Sequence, residues 1–111
     1  MALTDLLGCK IPLQLAPMGG VSVSAALPNA VAGAGGHAVY PGLMHTAETL
    51  EPILDTLQPP FGVNLLVPLI DEGALELACE RAPYVDFFLG EPNADLVARV
   101  RGVCGWQVET V

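Results

Sequence analysis

Five short apolar runs recur along the chain, at residues 12–16, 36–40, 61–67, 84–89 and 103–108, each nearly continuous rather than alternating in polarity. Runs of this kind suit parallel strands covered on both faces, where neither side needs to be polar. Their centres lie roughly 20 to 25 residues apart, room for a strand, a helix of about 10 residues and two loops. The segments between them carry helical periodicity. Leu50, Ile53, Leu54 and Leu57 fall at i, i+3, i+4 and i+7, a stripe that predicts a helix beginning just before Pro52. Leu75, Ala78, Cys79 and Ala82 repeat the spacing, with Asp71 and Glu72 where a helix start favours acids and Arg81 where its end favours a base. Asn93 is placed to cap a further helix, with Asp95 in its first turn, Leu96, Val97 and Val100 as its stripe, and Arg99 and Arg101 at its end. Another helix is expected within residues 24–34, starting later than Ser24 so that Pro28 does not fall inside it. The pattern is α/β, repeated β-α units with about five strands and four helices. It describes either a small open sheet or the first five units of a closed barrel of TIM type, which takes about 250 residues.

Composition narrows the partners. The 111 residues are 52% hydrophobic and only 14% charged, against about a quarter charged in ordinary domains. Twelve acids against four bases give a net charge of -8, which disfavours nucleic acid and anionic membrane surfaces. No charge stands between Lys10 and Glu48, but Pro12, Pro17, Pro28 and many glycines break that stretch. It therefore does not read as a membrane span, and no signal peptide is visible. Cys9, Cys79 and Cys104 are widely spaced and form no C-x-x-C pair. They suit reduced thiols in a cytoplasmic protein better than a disulfide framework or a metal site.

In parallel α/β folds ligands gather at the C-terminal ends of the strands. After the first run come Pro17, Met18, Gly19 and Gly20. Glycines there let a ligand approach the backbone, and a methionine offers a soft contact for a flat ring; the plainer reading is a turn and a core filler. Asn64 is the one polar side chain in the third run, either satisfied within the fold or turned toward a ligand, and Gln107 stands alike in the fifth. Two amides and a glycine turn at one end would converge on a pocket for a small molecule. Gly33-Ala34-Gly35-Gly36-His37-Ala38 satisfies G-x-G-x-x-A, but it follows a helix and precedes a strand, the reverse of the dinucleotide context, and reads as a helix stop. His37 and His45 have no partner at metal or triad spacing and read as ordinary histidines. Glu91 lacks a second group that would mark it as a base, so no catalytic residue is assigned.

Four motifs stand in order: Ala16-Pro17-Met18-Gly19-Gly20-Val21-Ser22, Ala34-Gly35-Gly36, Pro60-Phe61-Gly62-Val63-Asn64-Leu65-Leu66 and Phe88-Leu89-Gly90-Glu91-Pro92. In this order and spacing the chain, from Leu3 to Val111, resembles the N-terminal part of the nitronate monooxygenases, formerly called 2-nitropropane dioxygenases. The resemblance implies that residues 1–111 are the N-terminal portion of an FMN-binding (β/α)8 barrel that oxidises alkyl nitronates with molecular oxygen to carbonyl compounds and nitrite. It also implies that Ala16, Pro17, Met18 and Gly19 pass along the isoalloxazine with Met18 against the ring, that Asn64 hydrogen-bonds the flavin, and that Gln107 offers a polar contact. The family's phosphate-binding glycine loops follow its seventh and eighth strands, and its histidine the sixth, positions that His37 and His45 do not match. Flavin-dependent enoyl-acyl carrier protein reductases and NADH:quinone reductases share the barrel and similar motifs and are the alternative enzymatic reading. A third is a non-catalytic fragment or half-barrel module whose open sheet edges invite self-association.

Overall fold

Each of the five apolar runs forms a strand, and the striped segments between them form helices that lie against one face of the resulting sheet. The computed structural model describes residues 1–21 and 23–110. Ser22, which closes the first glycine motif, and Val111, where the resemblance ends, lie outside the described residues. The strands are β1 (Gln14–Leu15), β2 (His37–Pro41), β3 (Phe61–Leu66), β4 (Tyr84–Phe88) and β5 (Val103–Trp106). The helices are α1 (Leu3–Leu7), α2 (Ala26–Gly33), α3 (Ala47–Thr56), α4 (Glu72–Arg81) and α5 (Ala94–Arg99), with a 3-10 turn at Val67–Leu69. The sheet runs in the order β1-β2-β3-β4-β5, and every neighbouring pair is parallel. Sequential order with a helix in each crossover is the arrangement of consecutive barrel units. Among the described residues the sheet is open, with β1 and β5 at its edges.

The boundaries differ from the expected ones for local reasons. α1 makes a fifth helix where about four were expected; its five residues are too few to show a stripe. It is held instead by the Ala2 N–H donating to the Asp5 carboxylate at 3.3 Å and by Gly8 in the left-handed region at φ 71°. β1 keeps only two residues, because Pro12 and Pro17 on either side cannot donate to a ladder. α3 begins at Ala47 rather than just before Pro52, fixed by the Thr46 N–H donating to Thr49 Oγ1 at 2.9 Å. Pro52 inside it removes one helical hydrogen bond on the exposed side, where water can serve the freed carbonyl. Pro28, by contrast, lies in the first turn of α2, where its missing N–H has no helical partner to lose. The expected stop at Gly33 to Gly36 is present, with Gly35 at φ 99° before β2 starts. Asp71 caps α4 by accepting from the Ala74 N–H at 2.9 Å, and Asn93 caps α5 by accepting from Asp95 and Leu96.

Alternation along the strands sorts the side chains into two sets. Tyr40, Val63, Leu65, Val85 and Phe87 join Leu50 and Leu54 of α3 and Leu75 and Ala78 of α4 in one aliphatic core. Phe87 and Trp106 extend it toward β5 with ring centroids 4.9 Å apart. On the opposite face, at alternate positions, the polar residues His37, Asn64, Tyr84 and Asp86 and the glycines Gly62 and Gly105 stand among apolar Val39, Leu66, Phe88 and Val103. Leu50 is fully buried at the centre of the helix-side core. Leu50→Ala is therefore expected to destabilise the fold by about 2–5 kcal/mol, read from the urea unfolding midpoint.

Candidate functional site

The face of the sheet away from the helices carries Gln14, His37, Asn64, Tyr84 and Asp86, and Gln107 continues it just past β5. Register sets Asn64 beside Asp86 and Asp86 beside Gly105. Asp86 is 3% exposed, Asn64 5% and His37 1%. A carboxylate so withdrawn from water needs donors, and three converge on it. Asn64 Nδ2 donates to Oδ1 at 2.6 Å, Gln107 Nε2 donates to Oδ2 at 2.9 Å, and the Tyr84 hydroxyl approaches Oδ2 at 3.4 Å. All three are neutral. Among the described residues the ion pairs are Arg81 with Asp55 and Arg99 with Glu72, on the helices.

Tyr84 lies on this face because two glycines leave it room. A Cβ on Gly62 of β3 or on Gly105 of β5 would run into the Tyr84 side chain. Burial first, and then the neighbouring Asp86, push its phenol up to about 12, so Tyr84 remains a donor across the working pH range. Its ring meets His37 edge to face at 5.2 Å. His37 Nδ1 is 3.0 Å from Gln14 Nε2. With the amide donating, the ring nitrogen accepts and the imidazole is neutral, in keeping with burial, which lowers its pKa below 6.5 against smaller opposing effects of the Phe61 carbonyl and Asp86.

At the C-terminal ends of the strands, the turn after β1 and the loop after β2 enclose a cleft of about 430 Å³, walled by Gly19, Gly20, Tyr40, Pro41, Met44 and His45 among others. Gly20 has φ 81°, a conformation that favours glycine, and no atom lies within 4 Å of where its Cβ would stand. His45 is clamped between the Tyr40 hydroxyl and Thr49 Oγ1, each at 3.0 Å. Pro41, on the cleft wall, is the register partner of Asn64. A second recess, of about 320 Å³, lies between the loops after β4 and β5 and contains Gln107, Glu91 and Glu109. Trp106 Nε1 donates to the Gly90 carbonyl at 2.7 Å and fixes the β4 loop, in which Leu89 takes the left-handed φ of 62°. The cations are at the other end of the sheet. Lys10 and Arg101 precede β1 and β5, and Arg81 and Arg99 close α4 and α5.

Asn64 and Gln107 are thus brought together, and the group that joins them is Asp86. Gly19 lines the neighbouring cleft; Ala16, Pro17 and Met18 connect it to β1 without lining it. Asp86 was missed by sequence reasoning although the signal was present, one polar residue inside an apolar run, the same signal that singles out Asn64 and Gln107. His37 carried the same signal in its run but read as an ordinary histidine, and Tyr84 gave none, because their roles depend on which residues stand beside them in register.

The same architecture is found in a solved structure, a nitroalkane oxidase from Streptomyces ansochromogenes, with a TM-score of 0.74 and 24% identity. The shared fold is that of consecutive TIM-barrel units. The match covers 97% of this chain and 42% of the oxidase, so the chain spans less than half the length of that neighbour. No family model and no curated protein matches the chain.

A histidine held neutral by burial gives the fold a pH dependence whose sign follows from proton counting. Below the ordinary value of 6.5 the unfolded chain takes up a proton that folded His37 resists, so stability is full above pH 6.5 and declines as the pH falls through that value toward the lower folded pKa. His37→Gln is expected to flatten this decline, as measured by urea unfolding at a series of pH values.

Proposed function

We infer that the chain holds the ring-side part of the flavin site of an FMN-dependent oxidoreductase of nitronate monooxygenase type, and that residues 1–111 form the N-terminal portion of a (β/α)8 barrel. The observation that carries this reading is the arrangement of buried Asn64 and Asp86 with half-buried Gln107, beside a glycine-walled cleft at the C-terminal ends of the strands, where barrels of this class bind their ligands. The order of the four glycine, asparagine and proline motifs and the fold shared with a nitroalkane oxidase support it.

The residues fit a flat heterocycle. Open space lies beyond Gly20, Leu43 is the one side chain within 4 Å of a Cβ on Gly19, and among the described residues no protein donor reaches Asn64 Oδ1 or Gln107 Oε1. A ring with donors and acceptors along its edge would meet both needs. The phosphate is another matter. This end of the sheet carries Glu91 and Glu109 and none of the four Lys and Arg side chains, so the phosphate charge finds no lysine or arginine there. When bound, FMN supplies the electron-transfer chemistry that amides and glycine turns lack. The chain's own part is to admit the ring at Gly19 and Gly20 and to orient it through Asn64 and Gln107, leaving a small-molecule substrate such as a nitronate above the ring.

Open sheet edges at β1 and β5, with Leu13 and Val108 exposed beside them, support the reading that copies of the chain associate there. Three free cysteines suit a cytoplasmic setting. No helix among the described residues is long and apolar enough to cross a membrane.

With no cation at this end, the 111-residue chain is expected to bind FMN weakly or not at all, and any binding should match that of riboflavin within about threefold, a difference under 1 kcal/mol. Fluorescence titration checks this; tight one-to-one FMN binding by a monomer contradicts it. In a flavin-loaded preparation, bleaching by a nitronate in air supports the monooxygenase reading, whereas NADH consumption favours the reductase alternative.

A further inference from the structure

We propose that Asp86 is a positioning residue. By accepting one N–H from each of two amides, it fixes Asn64 and Gln107 so that their carbonyl oxygens read an N–H donor on the edge of the bound small molecule. The proposal takes the ligand's identity from the flavin reading, but its geometry stands apart from it.

An amide side chain can present its oxygen or its nitrogen with almost no change of shape, so the partner decides which. Asp86 leaves no choice. Both amides approach carboxylate oxygens, at 2.6 and 2.9 Å, and an amide oxygen at those distances would set acceptor against acceptor. The NH2 groups must therefore face Asp86. The Tyr84 hydroxyl adds a third donor to the same carboxylate and cannot relieve either amide of its role. What remains for a ligand is one carbonyl oxygen and one N–H on each amide. The Asn64 oxygen belongs to a buried side chain with no protein donor among the described residues, and leaving such an acceptor unmet is unfavourable. An N–H flanked by carbonyls, as in an imide or lactam, satisfies both kinds of atom at once. The pyrimidine edge of a flavin has this form, with its N3–H between two carbonyl groups.

A carboxylate that serves only to hold strands together would leave ligand choice untouched, and this separates the two roles. The first measurement uses the unliganded chain. Nitrogen-15 NMR of the side-chain NH2 groups should show Asn64 and Gln107 each with one proton shifted downfield and protected from exchange. In Asp86→Asn, which trades one acceptor for a donor at constant shape, at least one of these signals should revert. Free-amide signals for both residues in the unaltered chain overturn the proposal, whether or not the variant folds. The second measurement compares FMN with FMN methylated at N3. The unaltered chain should prefer FMN by about tenfold, the worth of one hydrogen bond to a buried acceptor, and Asp86→Asn should reduce that preference to about twofold. An undiminished preference in a folded Asp86→Asn chain overturns the proposal. If neither flavin binds, as expected of a chain with no cation at this end, the NH2 signals alone decide: signals as described support Asp86 as the positioning residue, and free-amide signals overturn it.

Discussion

A carboxylate buried without a cation constrains everything around it. Asp86 can stay in the sheet only if neutral donors reach both of its oxygens, and those donors come from the strands on either side: Asn64 from β3 and Gln107 from the end of β5. That requirement fixes register across three strands, since a one-residue slip would turn either amide to the helix side. It also calls for Gly62 and Gly105, whose missing side chains let Tyr84 lie on the same face and supply the third donor. The aliphatic core on the other face gives the sheet its stability without specifying any of this. Leucines and valines there could repack; the carboxylate and its donors leave little freedom.

The two faces were unequally legible in the sequence. Helix stripes such as Leu50, Ile53, Leu54 and Leu57 and the continuous apolar runs report burial directly, so the β-α order followed from periodicity. Element ends were less legible. β1 shrank between two prolines, and α3 extended well ahead of Pro52, because a threonine hydrogen bond and solvent exposure outweighed the proline. On the polar face, Asn64 and Gln107 stood out as single amides among apolar residues. Asp86 stood out equally but points to nothing by itself; its meaning comes from the two amides that register places beside it. Tyr84 and its two glycines are separated by about twenty residues in each direction, a spacing that only the parallel pairing turns into contact.

The division of charge along the strands bears on function. The C-terminal end offers glycine backbone, a methionine and amide oxygens, while the lysine and the three arginines lie at the other end, before the strands or closing the helices. Such an end can receive a neutral heterocycle and repels an anion. Ring and phosphate of a nucleotide-like cofactor thus make separate demands, and the flavin site proposed for this chain addresses the first.

The central claim is that Asp86 and the amides act as one unit, and a double-mutant cycle tests it most directly. Unfolding free energies of Asn64→Ala, Asp86→Ala and the double variant should be non-additive, with a coupling of about 1–3 kcal/mol, because each single change leaves its partner buried and unsatisfied. Effects that add to within about 0.5 kcal/mol would contradict the account.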